Sequence, residues 1–173
     1  MKMLFIGGVK SGKSRLAETA ILNFSKGVKP YYLATNECFD DEMKARVLAH
    51  QQQRQNQFET LEEPLELVET LRDLQRPVLV ECVTMWLNNR LYHGFSEQAI
   101  LDELEAVMNL PQDLFMVHNE VGQGIIPDNK LARQFVDLSG KAAQLMAQQC
   151  EQVYFCSAGL AFQMKAMPKK YDL

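Results

Sequence analysis

Apolar positions in this chain cluster into short unbroken runs. Five are of strand length: "KMLFI" at 2–6, "PYYLA" at 30–34, "PVLVE" at 77–81, "LFMVH" at 114–118 and "QVYFC" at 152–156. A strand that is apolar at successive positions needs cover on both faces, so these runs predict a mainly parallel sheet with helices on either side. The stretches between them predict the helices. Ser14–Ser25 follows a pair of glycines, and Asp41–Arg54 starts on acidic residues that suit a helix N-terminus. Pro64 opens "PLELVETLRDL" at a first turn, where its missing N–H costs nothing. Ser96 caps a helix with Ala99, Ile100, Leu104 and Val107 on one side, and Asn129–Gln149 forms a long final helix. Cys82-Val83-Thr84 is expected to continue the third run as a buried element. The order is βαβαβαβαβ, an α/β class, with the tail "MPKKYDL" expected to fray.

With 173 residues, 47% of them hydrophobic, the chain supports one sizeable core, and a single domain over 1–173 is expected. A net charge of −4 and the absence of a Lys/Arg block argue against nucleic-acid binding. Cys38, Cys82, Cys150 and Cys156 form no C-x-x-C pair and have no histidines at zinc-like spacing, so a reducing cytoplasm is the expected location. The first apolar run is too short for a signal peptide or membrane span.

The glycines after the first run decide the chemistry. Gly7-Gly8-Val9-Lys10-Ser11-Gly12-Lys13-Ser14 satisfies G-x-x-x-x-G-K-[ST] between a strand and a helix, the setting a phosphate-binding P-loop requires. Backbone N–H groups would point at phosphate oxygens, Lys13 would neutralise β/γ-phosphate charge, and Ser14 would offer its hydroxyl to Mg²⁺. This makes the expected fold a three-layer P-loop NTPase-like, Rossmann-like one. A companion acid for the metal is expected at a strand end, where both Glu81 and Glu120 stand. Glu81 is preferred because the chain beyond it continues apolar. A guanine-reading N-K-x-D is missing: Asn129-Lys130 continues as Leu131-Ala132.

In "DDEMKARVLAHQQQR", Glu42, Arg46, His50 and Arg54 recur at spacing four and form one ladder on a helix. Arginines a turn away on each side favour a neutral imidazole, whose lone pair can attack phosphorus. A solvated charged face explains the same ladder. His93 falls at a turn, and His118 ends a strand as either a site-lining or a hydrogen-bonded residue.

Taken in order, "FIGGVKSGKSRLAE", "YYLAT", "DDEMKARVLAHQQQR", "TLEEP", "VLVECVTMWLNN", "HNEVGQGIIPDNKLARQFVDLSG" and "AGLAFQMK" resemble the bifunctional adenosylcobinamide kinase / adenosylcobinamide-phosphate guanylyltransferase family from Met3 to Lys165. The resemblance implies phosphorylation of adenosylcobinamide with ATP or GTP, then transfer of GMP from GTP to adenosylcobinamide phosphate through a guanylylated histidine, with Mg²⁺. On it, His50 falls at the histidine, and Gly7, Gly8, Val9, Lys10, Ser11, Gly12, Lys13 and Ser14 at the nucleotide loop. Thr35, Asn36, Glu37, Gln51, Gln52, Gln53, Arg54, Glu62 and Glu81 fall at further nucleotide contacts. It also implies a homotrimer. The chain departs from the family's usual residues at Lys10, Gln55, Phe58, His118 and Ala143-Gln144, none of them at the nucleophile. Two other classes compete: a P-loop small-molecule kinase for which His50 is dispensable, and a GTP-binding regulator.

Overall fold

The computed structural model describes residues 1–37 and 56–166. Among them, strands β1 (Lys2–Gly7), β2 (Tyr31–Ala34), β3 (Glu59–Glu62), β4 (Val78–Glu81), β5 (Leu114–Asn119), β6 (Gln152–Ser157) and β7 (Leu160–Lys165) form one sheet in the order β3-β2-β4-β5-β1-β6-β7. Every pairing is parallel except β6 with β7. Helices α1 (Lys13–Phe24), α2 (Leu67–Arg72), α3 (Val83–Tyr92), α4 (Glu97–Asn109) and α5 (Lys130–Gln149) cover it.

The unbroken apolar runs have the two-sided cover they require. Leu4, Leu33, Val80 and Met116 send their side chains into a core shared with α2, α3, α4 and α5. Their strand neighbours Phe5, Tyr32, Leu79 and Phe115 face the other way, against Ala17 and Ile21 of α1 and Phe58. Each fully buried Leu or Phe contributes about 1.5–3 kcal/mol of hydrophobic stabilisation, so both faces are strongly specified. The caps are equally direct. Ser96 Oγ accepts the Ala99 N–H at 3.2 Å, and Asn129 Oδ1 accepts those of Leu131 and Ala132 at 2.8 and 3.3 Å.

All five predicted strands are present, but the predicted order omits three elements. β3 is an edge strand of sequence "ETLE" whose terminal glutamates are exposed, so it carries no apolar run. β7 is the opposite edge, with Leu160, Phe162 and Met164 exposed. Cys82-Val83-Thr84 is buried as expected, but it turns into helix α3 instead of continuing the strand. Helix α2 also starts later than Pro64, because the Glu63 carboxylate takes the amides of Leu65 and Glu66 at 2.8 and 2.9 Å and so forms a turn before Leu67. The predicted helix over 41–54 and the tail 167–173 lie outside the described residues.

Register places the loops. Gly7 pairs with Asn119 on one side and Cys156 on the other, while Ala34 pairs with Glu81 and Glu62. The strand C-termini therefore open along one edge of the sheet, where open α/β sheets bind ligands.

Candidate functional site: a P-loop and the acid beside it

The eight residues of the glycine motif form a tight loop from β1 into α1. Ser11 N–H donates to the Gly8 carbonyl at 3.2 Å, and the first helical bond runs from Leu16 N–H to the Gly12 carbonyl at 3.0 Å. Lys13 is buried at 6% exposure and donates from Nζ to the same Gly8 carbonyl at 3.2 Å, so its charge lies over the loop. Two of the glycines are required by close approach. A Cβ on Gly7 would stand 2.3 Å from the Cys156 carbonyl oxygen. Gly12 has φ +91°, and a Cβ there would stand 2.9 Å from Gly159 Cα. Gly8, in contrast, faces open space.

Ser14, at the first turn of α1, donates its hydroxyl to Glu81 Oε1 at 2.8 Å. Of the two acids weighed from the sequence, it is thus Glu81 that meets the P-loop serine. Glu120 turns back on its own loop, accepting the Gly122 N–H at 2.7 Å. Its backbone N–H donates to the Gly7 carbonyl at 3.0 Å, so the segment leaving β5 is tied to the P-loop by its main chain. A hydroxyl and a carboxylate are the hard oxygen donors that suit Mg²⁺. Within the described residues, no group of three or more His, Cys, Asp or Glu side chains is placed to hold a metal ion.

The segment after β2 reaches the same edge. Thr35 is fully buried, and its Oγ1 both donates to the Cys82 carbonyl at 2.8 Å and accepts the Cys82 N–H at 3.0 Å. The Glu81–Cys82 peptide between these groups is cis. Asn36 is exposed, and Glu37 Oε1 lies 2.8 Å from His93 Nε2 at the end of α3. Glu62 and Glu81 flank Ala34 at one level of the sheet. The structure therefore gathers Gly7 to Ser14, Thr35, Glu62 and Glu81 along one edge. His50, Gln51, Gln52, Gln53 and Arg54 lie outside the described residues.

Asn89 was not legible as part of this edge. Buried on α3, it donates from Nδ2 to the Thr35 carbonyl at 2.7 Å and to the Pro64 carbonyl at 3.2 Å. Its signal was an amide in "VTMWLNNRLY", one turn from the apolar face of Val83, Trp86 and Leu87. Arg90 beside it is also buried, with its guanidinium 3.0 Å from Glu66 and 2.6 Å from Glu103, so one charged side chain joins α3 to α2 and α4. Two thiols near the P-loop are chemically quiet. Burial and the Glu81 charge push Cys82 up to about 11, and burial raises Cys156. His118 does not line the site: it is 1% exposed, and each ring nitrogen faces a hydroxyl. Asn129, the one asparagine followed by lysine, caps α5.

Residues 3–164 match the family model described as cobinamide kinase / cobinamide phosphate guanyltransferase. The chain belongs to this family. The bifunctional adenosylcobalamin biosynthesis protein CobP of Pseudomonas aeruginosa is 40% identical over 175 residues, covering 97% of this chain and 99% of that protein. The corresponding CobU protein of Escherichia coli is 34% identical over 184 residues, covering 95% and 100%. As a member of the cobinamide kinase / cobinamide phosphate guanyltransferase family, the chain is a P-loop transferase of cobalamin biosynthesis. Likeness in fold reaches further: the flagellar accessory protein FlaH of Methanocaldococcus jannaschii superposes with a TM-score of 0.53 at 10% identity, over 95% of this chain and 78% of that one. Among the described residues, no helix is long and apolar enough to cross a membrane.

Proposed function

We propose that this chain phosphorylates the hydroxyl of adenosylcobinamide with ATP or GTP, and then transfers GMP from GTP to the new phosphate, both at the P-loop edge. The observation that carries this reading is the Ser14–Glu81 hydrogen bond beside a buried Lys13, a cation and two hard oxygens together at the mouth of the loop, which suit a triphosphate and its metal. Lys13 and the loop amides hold phosphate oxygens in both steps. Ser14, with Glu81 beside it, would hold Mg²⁺, which when bound neutralises phosphate charge.

In the first step the substrate hydroxyl attacks the γ-phosphorus, the bond to the β-bridging oxygen breaks, and the hydroxyl proton leaves to solvent. In the second, His50 uses its imidazole lone pair on the α-phosphorus of GTP, pyrophosphate departs, and a P–N bond forms. An oxygen of adenosylcobinamide phosphate then attacks that phosphorus, the P–N bond breaks, and His50 is regenerated with adenosylcobinamide-GDP as product. Arg54 and the neighbouring Gln51, Gln52 and Gln53, together with Asn36, Glu37 and Glu62, contact the nucleotide, while Thr35, fully buried and bonded to Cys82 and Asn89, supports that edge from behind. A single domain, a homotrimer, a cytoplasmic location and no nucleic-acid partner complete the proposal, supported by the family match, the acidic net charge and the absence of a basic block.

The test is covalent labelling. Incubated with Mg²⁺ and GTP labelled at the α-phosphorus, the protein is expected to hold an acid-labile, base-stable label that is lost in His50→Ala and in Lys13→Ala. A label that persists without His50, or none in the intact protein, removes the guanylyl-histidine. Kinase turnover alone would then leave a simple P-loop kinase.

A further inference from the structure

His118 is a buried titratable group for which the proposed chemistry has no use, yet it stands at the C-terminal end of β5, next to the segment tied to the P-loop. Its register partner in β1 is Ile6, and the next pair is Asn119 with Gly7. Nδ1 lies 3.1 Å from Thr84 Oγ1 on α3, and Nε2 lies 3.0 Å from Ser139 Oγ on α5. All three residues are buried. The ring thus bridges two helices across the end of a central strand.

The bridge continues into the site. Thr84 Oγ1 also accepts the backbone N–H of Asn119 at 2.6 Å, and the next amide, that of Glu120, donates to the Gly7 carbonyl at 3.0 Å. Two successive amides leaving β5 are therefore held by different structures, one by the hydroxyl that the ring orients and the other by the P-loop itself. A neutral imidazole offers one donor and one acceptor, so it can satisfy both hydroxyls at once and leave the threonine oxygen a fixed acceptor for Asn119.

We infer that His118 is a positioning residue for phosphoryl transfer: through the Thr84 hydroxyl it fixes the Asn119–Glu120 segment against Gly7, and so sets the P-loop against the strand end opposite it. This rests on the reading of residues 7–14 as the triphosphate cradle. Without the ring, Thr84 can rotate and the Asn119 amide loses its acceptor, while the loop itself, built from its own residues, still binds nucleotide. The consequence falls on turnover more than on nucleotide binding, because small misplacements of reacting groups are felt in the rate.

The experiment compares full-length His118→Ala, Thr84→Val, Thr84→Ser and the His118→Ala/Thr84→Val double variant. It reads kcat and KM for the nucleotide in the cobinamide kinase assay, and amide hydrogen exchange at Asn119 and Glu120. His118→Ala and Thr84→Val are expected to lower kcat about tenfold with the nucleotide KM changed less than about twofold. The double variant should be no worse than the worse single one, since both break one chain of contacts. Thr84→Ser should restore kcat, and exchange at Asn119 should accelerate in His118→Ala, Thr84→Val and the double variant but not in Thr84→Ser. Multiplying losses in the double variant, unchanged kcat with lowered thermal stability, or failure of serine to rescue would each reduce His118 to a packing residue. Should the wild-type protein show no cobinamide kinase turnover, the cradle's assigned reaction fails instead. Exchange at Asn119 then decides the positioning claim, with equal rates in wild type and Thr84→Val overturning it.

Discussion

The P-loop and the end of β4 lie side by side on one edge of the sheet but are built in opposite ways. The loop consists of eight consecutive residues whose shape follows from glycine positions and one lysine contact at 3.2 Å. The end of β4 is assembled from afar: Thr35 grips Cys82, Asn89 reaches back to Thr35 and Pro64, and Ser14 meets Glu81 across 67 residues of chain. A contiguous loop can bind a triphosphate on its own terms, whereas the acid that faces it is only as well placed as the fold around it. The difference predicts that the two regions fail differently.

The largest effect is expected where the contiguous loop touches the rest of the sheet. Gly7→Ala would put a methyl carbon 2.3 Å from a backbone oxygen of β6, and backbone cannot swing aside as a side chain can. The strands must separate at the loop. A destabilisation on the order of 4 kcal/mol, a sizeable part of the 5–15 kcal/mol typical of a domain, is expected in chemical denaturation. A loss under about 1 kcal/mol would mean that the loop and β6 are less tightly joined than the contact implies.

The contrast in construction also explains what could be read from the sequence. The P-loop was legible because its spacing is its structure. The five central strands were legible because two-sided burial leaves them no polar alternation, and α4 and α5 because Ser96 and Asn129 cap them in sequence. β3 was not, since an edge strand can carry Glu59 and Glu62 on solvent-facing positions. Helix α3 was hidden because it begins directly after a strand, with only Cys82 between, so its apolar residues merged with those of β4. The apolar chain beyond Glu81 favours it over Glu120, and it is Glu81 that meets Ser14, although no local spacing encodes that contact across the sheet.

The helix that leads out of β4, held at Thr84 by His118 of β5, should show its dependence on the surrounding fold through pH. Burial, with a smaller effect from the Lys13 charge, lowers His118 from 6.5 to about 4. The folded state therefore keeps this ring neutral in a range where the unfolded chain protonates it. Its contribution to stability is full above about 6.5 and is lost as pH falls toward 4, with a magnitude on the order of 3 kcal/mol. Carboxylates titrate in the lower part of that window, so the informative quantity is a difference. Denaturation midpoints followed from pH 7 to pH 4 should fall more steeply for the wild-type protein than for His118→Gln. Parallel curves would show that the folded protein protonates the ring as readily as the unfolded chain does.

The smallest effect on stability, and the sharpest separation of folding from binding, is expected at Gly8. A Cβ there meets nothing within 4 Å, and its φ is outside the left-handed region. Gly8→Ala should therefore leave stability within about 0.5 kcal/mol, or raise it slightly by restricting the unfolded chain. If the open space beside Gly8 belongs to the phosphates, the same methyl should weaken triphosphate binding by about tenfold, since glycines in such loops serve close backbone approach to phosphate. Titration with a fluorescent nucleotide, run beside thermal melts of Gly7→Ala and Gly8→Ala, separates the two demands on neighbouring glycines. Unchanged affinity in Gly8→Ala would mean that the triphosphate approaches the loop from Lys13 and Ser14 alone, and that the first glycine serves the sheet while the second serves neither task.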